Sequence, residues 1–201
     1  MLGSAFSACK PDDVTLVNVS RRGTVRGDNV INYQADVLRD PEKLLRRMKT
    51  DVLSIDVFIT MAYDRRFSSI EKMNRKRFLG EVELDVFSPL RMSVLCGAYF
   101  WSKDDRTTNM QRGRKVIHIS SGAAFGKTSR PELASYSGAK AALTVMTEYL
   151  HDYLFSSFGV SAHVVAPGSL QNPQVKEHTV SALWELQGAS LDQFTVRKIF
   201  E

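Results

Sequence analysis

The sequence predicts an α/β fold on a doubly wound parallel sheet, and three observations predict it. Short apolar, β-branched runs recur along the chain, at Val14 to Val19, Ile55 to Ile59, Val116 to Ile119 and Val160 to Ala166. Longer stretches of helical periodicity lie between them, the clearest running from Tyr136 to Phe155 with Ala139, Leu143, Met146, Leu150 and Leu154 on one stripe. The last two apolar runs stop at Ser120-Ser121-Gly122 and Pro167-Gly168, the small residues expected where open α/β sheets gather ligands at the carboxyl ends of their strands. At 201 residues and 43% hydrophobic content the chain suits one domain, 1–201.

Taken in order, Met1 to Ala8 reads as a helix already in progress, with Leu2, Ala5, Phe6 and Cys9 at helical spacing. Val14 to Val19 is a strand, Gly23 to Asn29 a polar turn, and Ile31 to Ala35 a short second strand. Asp40-Pro41-Glu42 starts a helix, with Asp40 as N-cap and proline at the first helical position, and the helix turns Leu44, Leu45 and Met48 inward. Ile55 to Ile59 is the next strand, followed by a basic loop or short helix from Arg65 to Lys76. Glu83 to Trp101 is a long helix in which Ser88-Pro89 marks either a kink or the start. Ser102 to Arg114 is a polar loop, Val116 opens a strand, and the Tyr136 helix leads to the strand that halts at Pro167. The residues after 172 form a helical C-terminal segment, 173–201.

Chemistry concentrates where the central strand hands over to its helix. Tyr136 and Lys140 are four apart at the helix start, so their side chains share a face. An ammonium beside a phenol favours the phenolate, which suits a tyrosine to give and take a proton. Ser121, at the carboxyl end of the preceding strand, completes a candidate proton-transfer site.

At Ile119-Ser120-Ser121, Tyr136-Ser137-Gly138-Ala139-Lys140 and Ala166-Pro167-Gly168 the chain resembles the short-chain dehydrogenase/reductase family over roughly residues 2–172. The resemblance implies a Rossmann-like sheet. It also implies a nicotinamide cofactor, hydride transfer to or from a carbonyl or alcohol substrate, and catalytic roles for Ser121, Tyr136 and Lys140. It places Gly3, Arg21, Asp36, Val37, Ala62, Tyr136, Lys140, Pro167 and Gly168 at the cofactor. Arg21, in Ser20-Arg21-Arg22, stands where an arginine accommodates a 2′-phosphate, which favours NADP over NAD. In the family, the helices matching 83–101 and 136–155 form a dimer seam, and a homodimer is expected on that basis.

Several positions depart from the pattern. Only Gly3 answers to the glycine-rich turn, so the first strand with most of that turn, and the last strand, are expected to be missing. Tyr63 replaces a glycine. Asp85 replaces the family's catalytic asparagine, and its carboxylate either pairs with Lys140 or faces solvent. The alternatives to an active enzyme are therefore a non-catalytic binding or scaffold relative, or a fragment of a longer enzyme.

Composition narrows the rest. The formal charge of +5 raises nucleic acid as a partner, but the clusters from Asp64-Arg65-Arg66 through Asn74-Arg75-Lys76-Arg77, flanked by Phe67 and Phe78, and Arg112-Gly113-Arg114-Lys115 lack an interleaved stacking platform and read as solvated surface. No apolar run approaches the length of a membrane span, and the expected location is cytoplasmic. Cys9 and Cys96 read as reduced, buried thiols. His118, His151, His163 and His178 share no spacing with a cysteine or carboxylate cluster, so no metal site is expected.

Overall fold

Asp40 caps a helix where the sequence predicts one, its carboxylate accepting the Lys43 N–H at 2.9 Å, with Pro41 at the first helical position. This is helix α1 (Pro41–Asp51), and it buries Leu44, Leu45 and Met48 as expected. The computed structural model describes residues 10–21, 23–62, 69–125 and 130–167. The chain divides into two units, Met1–Asp36 with Ser169–Glu201, and Val37–Gly168.

In the first unit β1 (Leu16–Ser20) and β2 (Val30–Gln34) pair in parallel from Leu16 opposite Val30 to Ser20 opposite Gln34. Asn18 and Asn32, facing across the pair, join through their amides at 2.9 Å. The Asn32 amide also accepts the Val25 N–H at 2.9 Å and so ties the connecting turn to the strands.

The second unit holds a parallel sheet in the order β3 (Val57–Thr60), β4 (Lys115–Ile119), β5 (Ser161–Val165). The central strand buries Val116, Ile117 and His118. Helices α2 (Arg75–Val82), α3 (Ser88–Tyr99), α4 (Arg106–Gln111) and α5 (Ala134–Phe158) complete the unit. Cys96, Phe100, Trp101, Leu143 and Leu154 are at most 1% exposed and mark its core. The α/β class with parallel strands is the one predicted. Among the described residues the strands form two sheets, β1-β2 and β3-β4-β5.

Three local expectations are corrected. The helix expected from Glu83 begins at Arg75, because Asn74 caps it by accepting the Arg77 N–H at 3.1 Å. It reaches α3 through a π turn, Glu83–Phe87, in which the Ser88 N–H bonds back five residues to Glu83. Pro89 follows at once, and a residue without an N–H is accommodated where the ladder has already widened. The polar loop expected at 102–114 contains α4, nucleated by Asp105, which accepts both the Thr108 N–H and hydroxyl at 2.9 Å. On α5 the apolar stripe holds at Ala139, Leu143, Leu150 and Leu154, but Met146 is 46% exposed and Thr147 is buried in its place. The readings of 1–9, Arg22, Tyr63, and 173–201 fall outside the described residues.

Candidate functional site

The site is built at the carboxyl end of β4. Strand alternation puts His118 and Ser120 on one face, turned toward α5. Ser120 is 3% exposed and its hydroxyl lies 3.2 Å from the Lys140 carbonyl and 2.8 Å from Thr144 Oγ1. These contacts fix the first turns of α5, which carry Tyr136 and Lys140. Ser121 points differently. Its hydroxyl accepts the Ala123 N–H at 3.2 Å and shapes the turn that leaves the strand.

Lys140 is 4% exposed. Its ammonium donates to the Ile119 carbonyl at 3.1 Å, sits 5.8 Å from the centre of the Tyr136 ring, and lies 3.3 Å from Asp85 Oδ1. Asp85 is wholly buried, so of the two readings left open by the sequence the ion pair is the one observed and the solvent-facing carboxylate is not. Three of the four residues expected to be catalytic, Asp85, Tyr136 and Lys140, are thus brought together.

The residues expected at the cofactor are spread more widely. Ala62 is exposed two residues past β3, and Pro167 is half-buried two residues past β5. Both strand ends therefore open on the same edge of the sheet as Ser121. Val37 lines a crevice with Pro41, Phe87, Ser88 and Met92. Arg21 and Asp36 belong to the first unit, where Arg21 is exposed and its carbonyl accepts from Gln34 at 3.1 Å. Gly3 and Gly168 lie outside the described residues. Among the described residues no group of histidine, cysteine and carboxylate side chains could hold a metal ion.

Sequence reasoning passed over a second buried polar group beneath this one. His118 is fully buried, with Nε2 3.0 Å from Ser93 Oγ and Nδ1 2.9 Å from Thr147 Oγ1. Burial, with the Lys140 charge adding to it, holds its pKa down at about 4, so the ring is neutral. The available signal was a polar residue, two before Ser120, inside an otherwise apolar strand.

Parallel strands with a tyrosine and lysine at their carboxyl edge define an α/β protein of the dinucleotide-fold type, and the comparisons narrow the class. The chain belongs to the short chain dehydrogenase family, whose model matches residues 3–182. An uncharacterized oxidoreductase from Haemophilus influenzae is 35% identical over 83 residues, a match that takes in 41% of this chain and 27% of that protein. The crystal structure of a short chain dehydrogenase family protein from Francisella tularensis superposes with a TM-score of 0.68 at 16% identity, covering 94% of this chain and 72% of the other. A 4-hydroxyisoleucine dehydrogenase complexed with NADH and succinate superposes at 0.63 and 16% identity, covering 94% and 83%.

Proposed function

We propose that this chain carries the proton-transfer site of a nicotinamide-dependent oxidoreductase acting on a carbonyl or alcohol substrate. The observation that carries the reading is the buried Lys140 ammonium 5.8 Å from the Tyr136 ring at the carboxyl edge of the sheet. A bound nicotinamide would supply or accept the hydride. Tyr136 gives its phenolic proton to the carbonyl oxygen as that oxygen gains charge, and recovers a proton from solvent, while Lys140 stabilises the phenolate between the two events. Ser121 donates a hydrogen bond to the same oxygen.

The donor set fits a dinucleotide's ribose. Lys140 presents N–H donors beside the end of β4. The Thr60 hydroxyl, at the end of β3, is buried with no hydrogen-bond partner and is free to meet a sugar hydroxyl. Arg21 favours a 2′-phosphate, hence NADP, while the NADH bound to 4-hydroxyisoleucine dehydrogenase keeps NAD as the competing cofactor. Val37, Ala62 and Pro167 are the remaining cofactor contacts of this reading among the described residues of the second unit.

The Asp85–Lys140 ion pair favours a second reading, a non-catalytic relative in which the lysine is committed to its carboxylate. Titration of the purified chain with NADPH and NADH, followed by cofactor fluorescence and melting temperature, separates the two. Saturable binding that is tighter for NADPH, with carbonyl reduction lost by about 100-fold or more in Tyr136→Phe, is the result expected. A folded chain that binds neither cofactor speaks for the scaffold.

A homodimer belongs to the same proposal. Val94 on α3 and Val145, Met146, Tyr149 and Tyr153 on α5 are all at least 37% exposed, leaving apolar surface on both helices.

A further inference from the structure

The helix carrying Asp85 and the helix carrying Lys140 are joined at two levels. The upper rung is the ion pair at 3.3 Å. The lower rung is Ser93–His118–Thr147, in which the ring spans the two helices at 3.0 Å and 2.9 Å. On α5 the two rungs are seven residues apart, Lys140 to Thr147, and on the other helix eight, Asp85 to Ser93.

That mismatch is repaired by the π turn. An α-helix advances about 100° per residue, so positions seven apart fall within about 20° of one line, whereas positions eight apart diverge by about 80°. A π turn takes up one extra residue without further rotation, and Glu83–Phe87 contains Asp85 itself. Eight residues across the π turn therefore match seven along α5, and both rungs face the same partner.

Proton counting shows why the lower rung is specific. Ser93 Oγ lies 2.8 Å from the Pro89 carbonyl, and Thr147 Oγ1 lies 2.6 Å from the Leu143 carbonyl. With the two ring contacts there are four short contacts, of which three can hold a hydrogen at once. Two hydroxyls and a neutral imidazole bring three hydrogens. The hydroxyl that accepts the ring N–H donates to its own helix carbonyl, and the other has a single hydrogen to share between its own helix carbonyl and the second ring nitrogen. Losing either hydroxyl leaves a buried ring nitrogen without its partner.

We propose that His118 is a positioning residue: with Ser93 and Thr147 it locks the register of α3 against α5, and through that register it holds Asp85 on Lys140 and Lys140 beside Tyr136. This rests on the reading of Tyr136 and Lys140 as the proton-transfer pair, and the test separates the two.

The first readout is the ultraviolet titration of Tyr136, taken as the difference between each chain and its Tyr136→Phe counterpart. The second is the rate at which Lys140 is acylated by acetic anhydride, measured by mass spectrometry with Lys49 as internal reference. In Ser93→Ala and in Thr147→Val the Tyr136 midpoint moves by about one pH unit, tenfold in proton affinity, upward where Lys140 is drawn from the ring and downward where Asp85 alone leaves Lys140. Lys140 acylation rises severalfold relative to Lys49. Thr147→Ser keeps the hydroxyl and leaves both readouts in place. An ordinary Tyr136 midpoint in the parent chain, with Lys140 acylation still raised in the variants, supports the positioning role and removes only the proton-transfer reading. Cooperatively melting variants in which neither readout moves overturn the proposal and reduce the rung to packing.

Discussion

Asp85 is the residue whose placement matters most to the chemistry. A carboxylate against Lys140 cancels part of the positive field that would otherwise fall on Tyr136. Asp85→Asn is expected to lower the Tyr136 titration midpoint by about one unit while costing about 3 kcal/mol of stability, since it strips a buried ammonium of its counter-charge. The paired ultraviolet titration and urea melts check both. His118 supplies a pH dependence with a definite sign. Its pKa is near 4 in the fold against 6.5 in the open chain, so between those values the unfolded state binds more protons. The His118 contribution is complete above about pH 6.5 and is lost as the pH falls toward 4, to the extent of about 3 kcal/mol. Lys140, with Asp85 beside it, is the charged group that acts on the ring. Denaturant melts across that range should show the slope, and it should flatten in His118→Asn. Tyr136 and Lys140 were legible because four-residue spacing fixes a shared face. Lys140 was legible as a partner for Asp85, but the choice between that pair and a solvent-facing carboxylate was not, because which way a helical residue faces depends on a π turn that no periodicity announces.

At the scale of elements, α4 and the end of α5 are held by groups that read in the sequence as surface. Arg114 has no exposed side-chain area. It reaches Asp104 at 2.7 Å, Asp56 at 3.4 Å and the Asn109 amide oxygen, while Asn109 donates to the Trp101 and Phe158 carbonyls. A basic run that was read as solvated thus contains the guanidinium that pins α4 to the start of β4. Arg114→Ala should cost about 3 kcal/mol, measured by chemical unfolding, because the loss leaves Asn109 and Asp104 unmatched in a partly buried setting. Gly159 closes α5 at φ +73°, and a Cβ there would stand 2.5 Å from the Arg106 carbonyl oxygen. Gly159→Ala combines left-handed strain with a backbone clash and is expected to lower stability by about 2 kcal/mol or more. The first turn of α1 was readable from Asp40 and Pro41 because capping is local. The burial of Arg114 was not, since its partners come from residues as distant as Asp56.

For the whole molecule, the α/β class and family were readable because the apolar runs and the serine, tyrosine and lysine motifs each carry their own local structure. The strand pairing was less so, because it depends on contacts between distant segments. The apolar faces of α3 and α5 give the assembly prediction. Val145→Glu with Tyr149→Glu should convert the proposed dimer to monomer in light scattering, and a parent chain that already runs as a monomer speaks against this seam. The π turn also has a consequence for how this protein tolerates change in length. Phe87 is 53% exposed and lies between Asp85 and Ser93, so removing it would turn the widened coil into plain α-helix and leave both polar rungs in line. Removing one residue between Lys140 and Thr147 would swing the lower rung by about 100°. One helix has a residue to spare and its neighbour has none, so shortened variants should survive only on the first.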